Sequence, residues 1–294
     1  MQVVIYSQLL KEKDIPHVQE LFDLLAAGNF STYVYGPYLE KIQPHITFNK
    51  DVGVFESYVD FKLKRFDMII TLGGDGTILK AATLVRDAGI PILGINLGRL
   101  GFLARVEKTK LKEALRLLAH GRYETESRDM LYLESNLPIF GDTPFALNDC
   151  TLLKRDTSSM ITIHTFINGA YLNSYWADGI IVSTPTGSTG YSLSCGGPIV
   201  FPGSGNFVIT PVAPHNLNVR PIVISDDSVV SFEVEGRAEN FLATLDSRFE
   251  TITSVHSLAV RKNDFCLQLV KLPDLNFMDT LRSKLNWGED RRNR

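Results

Sequence analysis

A glycine-rich segment that follows a strand pattern and precedes a helix pattern most constrains how this chain can fold. The apolar run Met68-Ile69-Ile70 leads into Leu72-Gly73-Gly74-Asp75-Gly76-Thr77, and apolar side chains then recur at helical spacing over residues 78–85. A glycine-rich turn between a strand and a helix exposes bare backbone N–H groups and a helix N-terminus, both of which attract anions. The segment therefore predicts a phosphate-binding turn within an α/β domain.

One acidic residue, Asp75, lies in the middle of this turn. A carboxylate repels phosphate, so an acid at this position needs a chemical reason. Either binding of Mg²⁺ or removal of a proton from an attacking hydroxyl would supply one. A third interpretation is structural, with Asp75 as a cap of the following helix.

Strand and helix patterns alternate through the first 120 residues. The predicted strands are residues 3–6, 33–35, 67–72 and 92–95. One predicted helix begins at the cap Asp14, and two others cover residues 78–86 and 108–120. Such alternation is typical of a parallel sheet covered by helices. Ligands of these sheets bind at the carboxyl ends of the strands, where residues 73–77 lie.

The pattern changes after Gly121. Residues 160–167 alternate, Asn168-Gly169 is a strong hairpin signal because both residues tolerate positive φ, and further short strand patterns follow. We therefore predict an α/β N-terminal domain with a Rossmann-like parallel sheet over residues 1–122 and a mostly β, sandwich-like C-terminal domain over residues 123–275. Residues 276–294 form a tail with helical apolar spacing over 277–285, and its end, Arg291-Arg292-Asn293-Arg294, is predicted to be solvated.

Composition narrows the partners and the compartment. The net charge is −3, from 30 basic and 33 acidic residues, so nucleic acid is not an expected partner. No apolar stretch approaches the roughly 20 residues of a spanning helix, and the N-terminus lacks a signal-peptide pattern, so we expect no membrane partner. Three sparse cysteines without CxxC spacing predict neither a disulfide framework nor a zinc site. The cytoplasm is the expected location.

A second segment rich in glycine and hydroxyl side chains lies about a hundred residues downstream. It reads DGIIVSTPTGSTGYSLS over residues 178–194. The many hydroxyls and bare amides within it indicate close contact with a polar ligand. If a helix begins at Thr189, Tyr191 and Ser194 share one of its faces, which would let Tyr191 stack on a base.

Together these segments resemble the NAD kinase family. The resemblance rests on blocks in the family's order: GGDGT at 73–77, GINLGRLGFL at 94–103, LND at 147–149, residues 178–194 with GGP at 196–198, PH at 214–215 with RP at 220–221, and LRSKLNW at 281–287. GGDGT alone is shared with lipid and phosphofructokinase-type enzymes, whereas the second segment is more specific. Two positions depart from the family: Gly190 replaces the usual Ala, and Ser247 follows Asp246 where Gly is common.

The resemblance implies an NAD kinase that transfers the ATP γ-phosphate to the 2′-hydroxyl of the adenosine ribose of NAD⁺. Asp75 would be the catalytic base, Mg²⁺ would accompany ATP, and the protein itself would hold no metal. A homodimer or homotetramer and a tail that returns to the N-terminal domain are also implied. The implied nucleotide-binding residues are Gly73, Gly74, Asp75, Gly76, Thr77, Lys80, Phe102, Asn148, Asp149, Ser159, Asp178, Thr189, Gly190, Tyr191, Ser192, Leu193, Ser194, Ala213 and Asp246.

Other interpretations of the residues and of the whole chain stay open at this point. Asn148-Asp149 and Asp178-Gly179 could be simple turns, Lys80 could be merely solvated, and Tyr191 could be a core aromatic. A lipid or sphingoid-type kinase with the same GGDGT turn, or a non-catalytic NAD-binding regulator, are the alternative functions. An assay for NADP⁺ separates these functions.

Overall fold

A computed structural model of the chain describes residues 1–156, 159–273 and 275–288. They divide into two compact units. Unit 1 comprises Met1–Ser127 and the described part of Leu267–Arg294, and unit 2 comprises Arg128–Cys266. The prediction for residues 291–294 lies outside the described residues. In the described part of the chain, no helix combines the length and the apolar character needed to cross a membrane.

The described residues form these strands: β1 (Gln2–Tyr6), β2 (Ser31–Tyr35), β3 (Gly53–Phe55), β4 (Met68–Leu72), β5 (Ile92–Asn96), β6 (Val106–Glu107), β7 (Glu124–Arg128), β8 (Leu131–Ser135), β9 (Phe145–Ala146), β10 (Asp149–Lys154), β11 (Ile161–Ile167), β12 (Ala170–Ala177), β13 (Gly179–Ser183), β14 (Asn206–Val212), β15 (Ile222–Ser225), β16 (Val230–Glu235), β17 (Phe241–Leu245), β18 (Arg248–Ile252), β19 (Leu258–Lys262) and β20 (Leu267–Lys271). The α-helices are α1 (Ile15–Ala27), α2 (Gly36–Ile42), α3 (Tyr58–Leu63), α4 (Asp75–Val85), α5 (Leu111–Ala119), α6 (Tyr191–Ser194) and α7 (Phe277–Leu285).

Unit 1 is built on one sheet with the strand order β3-β2-β1-β4-β5-β20-β7, in which β6 also pairs with β5. β1, β2, β3, β4, β5, β6 and β20 run parallel in their pairings. The chain moves outward from β1 through β2 to β3, and then starts again at β4 on the other side of β1. The strand order therefore reverses between β1 and β4, which is the place where open α/β sheets bind their ligands.

The central strands of this sheet are apolar because both faces are covered. All five residues of β4 and of β5 are buried, as are four of the five in β1. Parallel strands covered on both faces have this near-continuous apolar character. The alternating strand and helix pattern thus predicted the architecture correctly, although the side chain of Asp14 makes no capping hydrogen bond with α1.

Unit 2 consists of two antiparallel sheets with a shared apolar core. The first has the order β15-β14-β13-β10-β17-β18 and the second has the order β12-β11-β16-β19-β8-β9. Inward side chains of both sheets form one hydrophobic cluster, as in a sandwich. The predicted hairpin is confirmed, since β11 pairs with β12 and both turn residues, Asn168 and Gly169, have positive φ of 51° and 80°.

The unit boundaries differ by a few residues from the predicted domain boundaries at 122 and 275. β20, whose residues the sequence pattern assigned to the β domain, pairs with β5 in the sheet of unit 1. β7 follows β20 in the same sheet. Pairing between strands so distant in sequence leaves no local signal. The predicted tail helix has the bounds of α7, and it belongs to unit 1.

Candidate functional site

The turn after β4 combines one constrained glycine with two that face open space. Gly73 has φ +153°, and a Cβ there would lie 2.2 Å from Oγ1 of Thr77, so only glycine fits without rearrangement. Gly74 and Gly76 are exposed, and a Cβ on either would meet nothing within 4 Å. Nothing in the chain itself therefore requires glycine at these two positions, whereas a ligand that approaches the backbone would.

The carboxylate of Asp75 anchors a loop that is distant in sequence. Its Oδ2 accepts a hydrogen bond from the N–H of Phe102 at 2.8 Å, and its Oδ1 accepts from Leu103 at 3.0 Å and Ala104 at 2.9 Å. Gly101 makes this approach possible, because a Cβ there would lie 1.9 Å from Oδ1. Gly74 is the N-cap of α4, and Asp75 follows it in the first turn, so the alternative of Asp75 as a cap is wrong.

The loop that follows β1 lies beside this turn, at the point where the strand order reverses. Ser7 Oγ donates to the carbonyl of Leu72 at 2.7 Å. Lys80 donates to the side-chain oxygen of Gln8, and Lys41 donates to the Gln8 carbonyl at 2.7 Å. Neither Lys41 nor Lys80 forms an ion pair within the described residues. Two cations without a carboxylate partner thus converge on one neutral residue near the Gly73–Thr77 turn.

In unit 2, Asp246 holds the segment that contains Asn148 and Asp149. Its carboxylate accepts hydrogen bonds from the N–H groups of Leu147 at 3.0 Å, Asn148 at 2.7 Å and Asp149 at 3.3 Å. Asp246 has φ +55°, which an aspartate tolerates in a tight turn, whereas Ser247 does not have positive φ and so does not need to be glycine. Asp246 therefore positions this segment, and its contact with a nucleotide stays a prediction.

Asp149 is a buried acid with an unusual protonation equilibrium. The residue is 6% exposed. Burial, followed by the neighbouring charge of Asp246, raises the pKa of Asp149 to about 7, although the hydroxyl of Thr151 donates to it at 3.3 Å. Beside it, Oδ1 of Asn148 is buried and has no hydrogen-bond partner in the described protein. These two side chains offer an unmatched acceptor and a carboxyl that can accept or donate.

The hydroxyl-rich segment after β13 is held by its own hydrogen bonds. Thr184 Oγ1 donates to the carbonyl of Leu147 at 2.6 Å, Ser188 Oγ donates to that of Pro185 at 2.7 Å, and Ser192 Oγ lies 2.8 Å from Thr210 Oγ1. All three hydroxyls are buried. These three hydroxyls therefore have a structural explanation, whereas contact of the remaining hydroxyls with a polar ligand stays a prediction.

This segment packs closely on the backbone of Asn148. The N–H of Thr184 donates to the Asn148 carbonyl at 2.9 Å, and a Cβ on Gly187 would lie 2.0 Å from the same oxygen. At Gly190 a Cβ would lie 3.1 Å from the Gly187 carbonyl, 3.7 Å from the side-chain nitrogen of Asn148 and 3.9 Å from Asp149 Oδ2. Glycine at position 190 thus avoids a tight contact with the Gly187 carbonyl, beside both predicted ligand contacts.

The residues after Gly190 are more accessible. The helix begins at Tyr191 rather than Thr189, after a 3₁₀ turn over Gly187–Thr189. Tyr191 is 41% exposed, so the alternative of a core aromatic is wrong, and Ser194 is also exposed. Partial burial, followed by the nearby Cys195, raises the pKa of Tyr191. Both side chains are available to a ligand.

The hydrogen bonds described above do not join the remaining predicted residues of unit 2 into one cluster. Asp178 forms a salt bridge of 2.6 Å with Lys154. Ala213 is exposed and has φ +44°, an uncommon conformation for a residue with a Cβ. Ser159 is half-buried. No cluster of three or more His, Cys, Asp or Glu side chains that could hold a metal occurs in the described ranges.

Sequence reasoning missed the residues that act through distant contacts. Gln8 and Lys41 lie in weak local patterns, although Gln8 lies only two residues after the end of the first strand. Lys154 ends a strand, and its salt bridge with Asp178 forms because the neighbouring strands β10 and β13 pair. Gly101 lies within the block 94–103, but its contact with Asp75 cannot be derived from spacing.

Comparison with known proteins identifies both parts of the chain. Residues 10–123 match the family model described as the ATP-NAD kinase N-terminal domain, and residues 147–272 match the ATP-NAD kinase C-terminal domain. The NAD kinase of Cytophaga hutchinsonii is 48% identical over 294 residues, and that of Flavobacterium psychrophilum is 45% identical over 299 residues, with 100% of each chain covered in both cases.

A solved structure gives independent support for the fold. The crystal structure of yeast NADH kinase complexed with NADH has a TM-score of 0.86 and 23% identity, and the match covers 98% of this chain and 88% of that chain. At this identity the likeness supports the fold alone. The lipid-kinase and regulator alternatives receive no support from these relatives.

Proposed function

Since this chain belongs to the NAD kinase family, its reaction is the phosphorylation of NAD, and we propose that it transfers the γ-phosphate of ATP to the 2′-hydroxyl of the adenosine ribose of NAD⁺ with Asp75 as the base. The observation that carries this assignment is the fixed carboxylate of Asp75 beside two open glycines at the carboxyl end of β4. A hydroxyl is a weak nucleophile until a positioned group takes its proton.

Asp75 keeps room for one such proton. A carboxylate has about four acceptor positions on its two oxygens. The N–H groups of Phe102, Leu103 and Ala104 use three of them, which leaves one for a substrate hydroxyl. Because the three donors are backbone groups, they hold the two oxygens at fixed positions, and such positioning is a main source of rate in phosphoryl transfer.

We assign the donor phosphates to the turn itself. Gly74 and Gly76 allow a phosphate to approach their N–H groups, and the N-terminus of α4 attracts its charge. Lys80 and Lys41 carry positive charge near the same turn without a carboxylate partner in the described chain. Mg²⁺ would enter with ATP and neutralise phosphate charge. Gly73 and Thr77 shape the turn through their close contact.

The dinucleotide contacts proposed for unit 2 start from Asn148 and Asp149. The unmatched Oδ1 of Asn148 can accept from a base or ribose, and Asp149 can bind a ribose hydroxyl. The exposed Tyr191 has an aromatic face for a base. The further proposed contacts are Thr189, Gly190, Ser192, Leu193, Ser194, Ser159, Asp178, Ala213 and Asp246, with Phe102 in unit 1. Ser192 would contribute through its backbone, because its hydroxyl is bound to Thr210.

The assembly and the location complete the proposal. We propose a homodimer or homotetramer, since the edge strands β12 and β15 of unit 2 carry large exposed side chains, Tyr171, Trp176 and Val223. The cysteines are unpaired, which suits a reducing cytoplasm.

A single pair of variants tests where ATP binds. Purified protein with ATP, Mg²⁺ and NAD⁺ should yield a product that an NADP⁺-dependent dehydrogenase reduces. Gly76→Ala should leave the unfolding temperature unchanged or slightly higher, because its Cβ meets no atom of the chain and alanine restricts the unfolded state. Gly74→Ala should lower it slightly, because Gly74 is the N-cap of α4 and alanine is a poorer N-cap than glycine. Both should raise the KM for ATP at least tenfold, while the KM for NAD⁺ changes less than twofold. An unchanged KM for ATP would remove the phosphates from this turn.

A further inference from the structure

The C-terminal helix α7 and the two residues after it contain a sequence block, LRSKLNW, that the proposed chemistry does not use. Its ends are well defined. Asn276 Oδ1 accepts from the N–H of Asp279 at 2.8 Å at the start of the helix. Asn286 adopts the left-handed conformation after the last turn, where the N–H of Trp287 donates to the carbonyl of Arg282 at 3.0 Å. The chain thus fixes both the position and the length of this helix.

Two side chains of α7 meet the same aromatic ring. The rings of Phe277 and Phe102 are tilted by 44°, and their centroids lie 6.4 Å apart. Nζ of Lys284 lies 6.0 Å from the centroid of the Phe102 ring. Phe277 and Lys284 are seven residues apart, so they lie two turns apart on one face of the helix. Aromatic pairs and cation–π contacts at these separations are attractive.

Phe102 begins the run of three residues that binds Asp75. Its N–H donates to Oδ2, and the N–H groups of the next two residues donate to Oδ1. The residue whose ring contacts α7 is therefore the same residue whose N–H donates to Asp75. The same segment is held on its other side by Arg105, whose Nε donates to the Phe102 carbonyl at 3.1 Å.

We propose that Phe277 and Lys284 are positioning residues that hold Phe102, and through its backbone N–H hold Asp75, in the orientation needed to take a proton. This inference rests on the proposed function in its catalytic consequence, but its structural step stands on the contacts within unit 1. α7 then contributes to catalysis indirectly, through Phe102 and Asp75. If α7 only packed against the unit, it would contribute to stability alone.

Two pairs of variants separate these roles. Phe277→Ala removes the ring contact, and Met278→Ala, at a neighbouring position that is 50% exposed, is its control. Lys284→Met removes the cation from an exposed position, where we expect little change in stability, and Lys284→Arg keeps the cation. The direct readout is amide hydrogen exchange of residues 102–104, which needs no turnover. The second readout is kcat, measured with the KM for ATP.

We expect Phe277→Ala to increase exchange of these amides about tenfold and to lower kcat about three- to tenfold, with the KM for ATP within twofold. Lys284→Met should have a smaller effect of the same kind, and Lys284→Arg should restore both values. Met278→Ala should resemble the wild type. In an Asp75→Asn background, Phe277→Ala should lower kcat no further, because both changes act on one group.

The proposal is overturned if amide exchange and kcat are unchanged in both Phe277→Ala and Lys284→Met, even where the unfolding temperature falls. It is also overturned if Phe277→Ala lowers kcat in the Asp75→Asn background by the same factor as in the wild type. If Phe277→Ala does not fold, the two Lys284 variants decide. If the wild type forms no NADP⁺, the proposed function fails, and amide exchange still decides whether α7 holds this loop.

Discussion

The substitution Asp75→Asn has consequences beyond the loss of a proton acceptor. Asparagine has nearly the same shape as aspartate, but it offers one acceptor oxygen and an NH₂ group instead of two acceptor oxygens. Asp75 accepts three backbone N–H groups on its two oxygens. If the asparagine oxygen keeps the bonds to Leu103 and Ala104, its NH₂ group faces the N–H of Phe102, and two donors oppose each other.

The size of the effect follows from the hydrogen bonds involved. A bond to a charged group contributes about 1.5–3 kcal/mol and a neutral bond about 0.5–1.5 kcal/mol. One lost bond and two weakened bonds give about 2–4 kcal/mol after allowance for the partial exposure of the site. For a unit of roughly 150 residues, this lowers the unfolding temperature by about 5–15 °C. Loss of general-base catalysis lowers kcat by a further factor of about 10²–10⁴.

Calorimetry and steady-state kinetics measure the two effects separately, provided that kcat is taken well below the lower unfolding temperature. Glu113→Gln is the matched control, because Glu113 is 65% exposed on α5 and its loss of charge should shift the unfolding temperature by less than 2 °C. If Asp75→Asn unfolds at the same temperature as the wild type, the three hydrogen bonds are not present in solution. If its kcat is near normal, Asp75 is not the base, and Asp149 becomes the next acid to test.

Two further predictions concern unit 2. The Asp149 carboxyl keeps its proton to about pH 7 when folded but loses it near pH 4 when unfolded, so the folded state binds more protons between these values and stability falls as pH rises through them. Asp149→Asn removes this pH dependence of stability. In denaturant unfolding, the free energy of unfolding of the variant relative to that of the wild type should rise by up to about 4 kcal/mol between pH 4 and pH 8. Parallel curves of stability against pH for the two proteins would refute the buried acid. Gly187→Ala would place a Cβ 2.0 Å from the Asn148 carbonyl oxygen. We therefore expect thermal unfolding to show a loss of at least about 1–3 kcal/mol in the free energy of unfolding, together with a raised KM for NAD⁺. A variant as stable as the wild type would contradict this packing.

The sequence predicts those features whose cause is local. The strand, turn and helix around residues 73–77 follow from apolar spacing and from glycine, and the structure has β4, the turn and α4 there. The Asn168-Gly169 hairpin follows from the positive φ that both residues tolerate. The bounds of α7 agree with its apolar spacing because neighbouring turns of one helix set that pattern.

Features that depend on distant contacts were not predictable in this way. β20 joins the sheet of unit 1 because it pairs with β5, more than 170 residues earlier in the chain. The three N–H groups that bind Asp75 lie 27–29 residues away, and those that bind Asp246 lie 97–99 residues away. Local spacing also could not tell that the hydroxyls of Thr184, Ser188 and Ser192 bind the chain itself.

The two units use the same device for holding a segment that carries chemistry. Asp75 and Asp246 each accept hydrogen bonds from three consecutive backbone N–H groups. In unit 1 the bound acid is also the proposed base, so one carboxylate has both a structural and a chemical role. In unit 2 the roles are divided: Asp246 holds the backbone of Asn148 and Asp149, and its charge helps to raise the pKa of Asp149 to about 7. Asp246 thus acts on the proposed ligand contact Asp149 in two ways, through a hydrogen bond to its backbone N–H and through its charge.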